Sequence, residues 1–273
     1  MIIARRFIGG ILTDKDSEFK FHKGAASAAH KILFLRFIFF ALGKDKLRRF
    51  AEVATFSNVL ELDAGKPFKG QWSSGFFKNN NPVVLELACG KGEYSVNLAR
   101  LFPDKNFIGI DYKGNRIWRG AKTALEDGVN NVGFLRIQIE NLTDYFAPGE
   151  VDEIWITFPD PQPQVSREKK RLTSPRFLEK YKPILNPGGY INLKTDNDGL
   201  HAYTAEKIAE AGMTLHVKTE DLYHSEFVDE VLSVKTYYEK KYLRHDKNIN
   251  YLKFSFTPPA SPEGEGLGTG YIL

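Results

Sequence analysis

A doubly wound α/β fold, with a mainly parallel sheet and helices on both faces, is the class this sequence predicts, and three observations predict it. From Pro82 onward, short apolar runs alternate with longer amphipathic stretches. A glycine turn, ACGKG at residues 88–92, separates the first apolar run from the first helical stretch. The run IWIT at residues 154–157 is stopped by Phe158-Pro159, which delivers Asp160 to a strand's carboxyl end. In an open α/β sheet that edge is where ligands bind.

Each element follows in order. Residues 83–87 (VVLEL) read as the first strand, and 94–102 as a helix ended by Pro103. Residues 106–111 form the second strand and 115–127 a helix closed by Gly128. The third strand spans 133–139 and the fourth 153–158. A helix over 174–185 carries Pro175 in its first turn, where a missing N–H is harmless, and Asn186-Pro187-Gly188-Gly189 stops it. Strand 190–194, helix 200–211 up to Gly212, strand 214–218 and strand 251–257 complete the pattern. These make seven strands. Residues 62–82, rich in Gly, Lys, Ser and Asn, read as a loop feeding the first of them.

With 273 residues the chain is long enough for one large domain. Its single cysteine, Cys89, excludes an internal disulfide and any multi-cysteine zinc site, which fits a reducing compartment, and the cytoplasm is the expectation. His22, His30, His201, His216, His224 and His245 show no metal-ligand spacing, so no metal is expected. The net charge of +4 is unevenly placed. Between Phe158 and Lys182 there are seven Lys/Arg against three Asp/Glu. A charge run is ordinarily a solvated face, but beside Asp160 it points to contact with a polyanion. The apolar run ILFLRFIFFAL at 32–42 is too short to span a bilayer, where about 20 residues are needed, and reads as a buried or partner-packed helix. No membrane association is expected, and oligomeric state is left open.

Residues 84–95, VLELACGKGEYS, are a strand, a glycine turn and a helix start. Gly90 and Gly92 let the backbone approach a ligand. A dinucleotide site wants a third glycine where Ser95 stands. Glu86, just before the turn, suits an amine-bearing ligand better than a pyrophosphate, and Asp111, ending the second strand, is placed to accept ribose hydroxyls. S-adenosyl-L-methionine, cationic and free of phosphate, fits both.

Taken in order, ELACGKGEYS, GIDYKGNRIWRGA (109–121), ITFPDPQ (156–162), KKRLTSPRFLEKY (169–181), NLKTDND (192–198) and TYYEKKY (236–242) resemble the bacterial tRNA (guanine-N7-)-methyltransferase family. The match runs from about Leu42 to Thr257. It implies a class I methyltransferase, Rossmann-like fold, S-adenosyl-L-methionine as donor, and methylation of a guanine in the tRNA variable loop. The implied cofactor contacts are Glu86, Asp111, a position after the third strand and Asp160. The implied substrate contacts are Asp196 and the segment Thr236, Tyr237, Tyr238, Glu239.

Three departures mark this chain. Ala88 stands where the family usually shows glycine. The adenine-contacting position reads Gln138-Ile139, with Glu140 following, in place of Asp-Ala; Gln138 still offers a donor and an acceptor. Gln162 and Gln164 replace the usual aromatic and basic pattern, with Gln164 at the place of a substrate lysine, so phosphate contact falls to Arg167, Lys169, Lys170 and Arg171. Residues 1–41 have no counterpart and are expected to be either a lineage-specific extension or the product of a start assigned upstream. Residues 258–273, rich in Pro and Gly, are expected to be a mobile tail.

Guanine N7 exposes a lone pair, so alignment dominates over proton removal. Asp160 is expected to accept hydrogen bonds from the guanine edge and to balance its developing charge; a turn-capping role is the plainer alternative. Thr236 and Glu239 at i and i+3 share a helical face and read as a simple surface pair if they do not bind substrate. The competing functions are a class I methyltransferase on another RNA, a protein or a small molecule, and a nonenzymatic RNA-binding protein on the same fold.

Overall fold

The computed structural model describes residues 45–245 and 247–257. The expected extension at 1–41, the apolar run at 32–42 and the expected tail at 258–273 lie outside the described residues. A helix, α1 (residues 45–53), precedes the short strand β1 (Val59–Glu61). The alternating pattern then gives β2 (Val83–Leu87), α2 (Glu93–Leu101), β3 (Asn106–Ile110), α3 (Gly114–Glu126), β4 (Val132–Arg136), the one-turn α4 (Leu142–Tyr145) and β5 (Val151–Thr157). After it come α5 (Pro175–Ile184), β6 (Leu185–Thr195), α6 (Asp198–Glu210), β7 (Thr214–Thr219), α7 (Tyr237–Leu243) and β8 (Asn250–Ser255).

The strands form one sheet in the order β1-β4-β3-β2-β5-β6-β8-β7. Pairings are parallel from β1 to β6, whereas β6–β8 and β8–β7 are antiparallel. The chain winds outward from β2 through β3 to β4, then returns to the other side of β2 as β5 and β6. That reversal lies between β2 and β5, and it opens a crevice at their carboxyl ends. Every residue of β2 and β3 is buried, as expected for strands covered on both faces.

Alternation along β2 sorts its side chains. Val83, Leu85 and Leu87 join the core beneath α5 and α6, with Phe177, Leu178, Tyr181, Leu200 and Ile208. Val84 joins the opposite core beneath α2 and α3, with Leu98, Ile117, Ala121 and Phe134. Glu86 shares the parity of Val84, so its carboxylate is turned toward α2.

Three expectations are corrected. The sheet has eight strands, not seven: Val59–Glu61 pairs with Phe134–Arg136, and the Arg136–Glu61 ion pair (3.1 Å) clasps this edge strand to its neighbour. Three residues are too few to show an alternation. The segment 62–82 is not a plain loop but holds two helical turns, Leu62–Phe68 and Trp72–Phe77. Trp72 is buried, its indole N–H donating to the Tyr145 carbonyl (2.8 Å) while its ring stacks on Phe146. Finally, β6 begins at Leu185, so the Pro-Gly-Gly run is carried inside the strand, where its pairing with β5 is irregular.

Candidate active site

Beyond Leu87 the backbone turns through three left-handed residues, Ala88 (φ +56°), Gly90 (φ +57°) and Gly92 (φ +65°). Gly92 is required sterically, because a Cβ there would lie 2.3 Å from the Phe134 ring. At Gly90 a Cβ would meet nothing nearer than 3.9 Å, so this part of the turn faces open space. Asp111 shapes the turn: its Oδ2 accepts from Gly90 N (3.0 Å) and its Oδ1 from Lys113 N (2.7 Å). Ala88 bears the cost of a Cβ in the left-handed region, about 1–2 kcal/mol, offset in part by its lower unfolded entropy. Ala88→Gly is therefore expected to raise stability by about 0.5–1 kcal/mol, read as a higher urea midpoint with an unchanged slope.

Glu86 is buried, 4% exposed. Its Oε2 accepts from Ser95 N (2.9 Å) and Ser95 Oγ (2.5 Å), and its Oε1 from Thr157 Oγ1 (2.7 Å). Burial pushes its carboxyl up to about 7, against the pull of these three donors. A carboxylate has room for about four hydrogen bonds, and three are taken here. In the sequence Ser95 reads only as a missing glycine; its place in the first turn of α2 makes it the partner of Glu86.

A cavity of about 390 Å³ opens beside this turn. It brings together Asp111, Gln138, Ile139 and Glu140, with Ile137, Leu172 and Phe177 supplying apolar wall and Lys170 at the rim. The predicted adenine position, Gln138-Ile139, thus shares one cavity with the predicted ribose acid, and Glu140 lines it as well.

At the end of β5 the chain makes a strained exit: Phe158 (φ +49°) and Gln162 (φ +44°) are both left-handed, unusual for side chains of this size. Phe158 N donates to the Lys194 carbonyl (2.8 Å), and its ring stacks on Tyr242. Asp160 is exposed, with Oδ1 accepting from Gln162 N (3.2 Å), so it does cap the turn while the rest of its carboxylate faces solvent. Because Thr157 pairs with Lys194 on β6, Asp160 and the half-buried Asp196 leave neighbouring strands at the same edge.

The basic stretch divides. Gln164, Arg167, Lys169 and Lys170 are exposed. Arg171 is half-buried, donating from Nε to the Gln162 carbonyl (3.2 Å) with its guanidinium 4.2 Å from the Tyr203 ring centre. It braces the Asp160 turn, a role the sequence alone does not suggest.

The Thr236–Glu239 element is not a surface pair. Thr236 caps α7, accepting from Glu239 N (3.1 Å), and Glu239 Oε2 accepts from Thr236 N (3.2 Å), a reciprocal capping box. Glu239 Oε1 also meets the Lys194 ammonium at 2.8 Å and accepts from the Tyr223 hydroxyl, and both charged side chains are fully buried. Lys194 further donates to the carbonyls of Leu232 and Val234 (3.0 and 3.3 Å). Burial lowers the Lys194 pKa and Glu239 opposes that shift. Glu239, implied as a substrate contact, is thus held in the interior, tying α7 to the strand that ends just before Asp196. Tyr237 and Tyr238 occupy the first two positions of α7. Sequence reasoning does not reach Lys194, although a lysine ending a buried run is the available signal.

A cavity at the carboxyl edge of the strands, lined by an acidic strand end, in a sheet whose last strand is inserted antiparallel, makes this a class I methyltransferase fold. The solved structure of the 16S rRNA methyltransferase KamB shares it, with a TM-score of 0.50 at 19% identity over 65% of this chain and 89% of that one. The family described as "Putative methyltransferase" matches residues 80–252. A tRNA (guanine-N(7)-)-methyltransferase of Bacteroides fragilis is 49% identical over 78% of this chain and 86% of its own length. One from Christiangramia forsetii is 50% identical over 77% and 97%. The chain belongs to the tRNA (guanine-N7-)-methyltransferase family.

Proposed function

We propose that this chain methylates N7 of a guanine in the tRNA variable loop, with S-adenosyl-L-methionine as donor. The observation that carries the reading is the convergence at one sheet edge of Glu86, the open face of Gly90, the Asp111–Gln138–Ile139 cavity, Asp160 and Asp196. The residues fit the donor: a buried carboxylate with one acceptor site to spare suits the α-ammonium, Asp111 the ribose, and the apolar walls with Gln138 the adenine. When bound, the donor supplies an electrophilic methyl group on a sulfonium. The chain's own residues align and exclude water, which supplies the bulk of the acceleration when the nucleophile needs no deprotonation. Asp160, held by the Phe158 and Gln162 turn, accepts from the guanine edge and balances the positive charge that grows on the base. Asp196 holds the same base from the neighbouring strand, while Arg167, Lys169 and Lys170 meet phosphates.

Among the described residues no helix is long and apolar enough to cross a membrane, and no cluster of His, Cys, Asp and Glu could hold a metal. We place the reaction in the cytoplasm with its tRNA substrate.

Asp160→Ala is expected to lower kcat on the order of 10²–10³-fold with tRNA still bound, measured by single-turnover transfer of labelled methyl groups. Retention of full transfer would remove Asp160 from the chemistry. Nucleotide mapping of tRNA from cells lacking this protein should show 7-methylguanosine gone from the variable loop.

A further inference from the structure

On the sheet face opposite to α5, a second cavity of about 290 Å³ lies between α2, α3 and the segment that leads into α7. Its lining includes Lys91, Arg100, Arg119, Lys235 and Lys240, against Glu93 as the one carboxylate among the described residues that line it. Arg100 pairs with Asp127, and the Lys235 ammonium sits 4.3 Å from the Tyr223 ring centre. Arg119 and Lys240 are exposed and make no ion pair among the described residues. Like charges gathered around so small a volume repel one another, and an anion relieves that repulsion.

The position of the cavity narrows the choice of anion. Lys91 belongs to the glycine turn and Lys235 adjoins Thr236, so the cavity starts at the same carboxyl edge that holds Asp160 and Asp196. Arg167, Lys169 and Lys170 lead into α5, on the other face of the sheet. Basic clusters on both faces therefore bracket the edge. A single phosphate would need only one of them, whereas an extended polyanion crossing the edge reaches both.

We infer that this cavity receives backbone phosphates of the RNA substrate, which straddles the sheet edge between it and the Arg167–Lys170 stretch. The inference rests on the tRNA-methylating reading and adds to it a second site of phosphate binding. Neutralising its cations frees those phosphates without touching the donor cavity, and each phosphate so released should reduce the slope of log Kobs against log salt by about one.

The test is the full chain carrying Arg119→Gln with Lys240→Gln, titrated with tRNA across a salt series, alongside calorimetry with S-adenosyl-L-methionine and thermal melts. Expected are a salt slope shallower by about two, tRNA affinity lowered on the order of tenfold at physiological salt, and donor affinity and melting temperature unchanged. An unchanged slope and tRNA affinity in the folded, donor-binding variant would overturn the inference. So would weakened binding of polyglutamate with tRNA binding intact, which would assign the cavity to an acidic protein. Failure of the wild-type chain to methylate any tRNA would instead strike the parent reading, and the binding titration still reads the cavity separately.

Discussion

Glu239→Ala is expected to cost roughly 3–5 kcal/mol of stability, on the order of 10 °C in Tm for a domain of this size. The substitution strands the Lys194 ammonium in the interior with the Leu232 and Val234 carbonyls and the Tyr94 and Tyr223 rings but no counter-charge, and it opens the capping box of α7. The pair Lys194→Met with Glu239→Gln should recover all but about 2 kcal/mol, since replacing both members removes the buried charge and glutamine still serves a capping box. Thermal melts and methyl-transfer assays on the same samples then separate two roles. Recovery of both stability and transfer makes Glu239 a scaffold residue. Recovery of stability alone makes it a contact for the guanine, as the family resemblance implies.

Glu86→Gln should move stability and donor binding in opposite directions. The folded carboxyl is held up to about 7 by burial, against 4.5 for the unconstrained group, so the folded chain keeps a proton that the unfolded chain has released. Its contribution to stability is full below pH 4.5 and drains away as pH rises through about 7. At pH 8 the ionised buried group costs on the order of 3 kcal/mol. Glutamine has no proton to lose, and Thr157 Oγ1 can turn to accept from its amide. The variant should therefore melt higher than wild type at pH 8 and near it at pH 5. The donor's ammonium would lose a charged acceptor worth about 1.5–3 kcal/mol, or roughly 10- to 100-fold in Kd. Unaltered donor affinity in a calorimetric titration would reduce Glu86 to a brace for Ser95 and Thr157.

Much of the fold was legible because parallel strands covered on both faces must be apolar throughout, and VVLEL, NFIGI and IWIT meet that demand with turns close behind. Asp111 and Asp160 were legible for a related reason: a carboxylate just past a buried strand has only the sheet edge to occupy; Asp196 was reached through the family resemblance. What stayed hidden depends on pairings that leave no local trace. β1 is a strand only because β4 lies beside it. Lys194 and Glu239 meet across a long stretch of chain, and nothing near either announces the other. Arg171 looks like its neighbours in the basic run until Tyr203 and the Gln162 carbonyl claim it. The α2–α3 cavity draws its cations from separate segments that only the fold brings together.

The place of β8 in the sheet has a consequence for the order of folding. It is the last described strand in sequence, yet it sits between β6 and β7, which do not pair with each other. During synthesis the five strands from β4 to β6 can therefore condense early, while β7 must wait for β8 to arrive and be zipped in from the carboxyl-terminal end. Lys194 and Thr195, already held by β5 on one side, gain their second strand partner, Asn250–Tyr251, only at that moment. A nascent chain thus completes the β6–β8–β7 side of its sheet late, after the β2–β3 pairing that shapes the glycine turn.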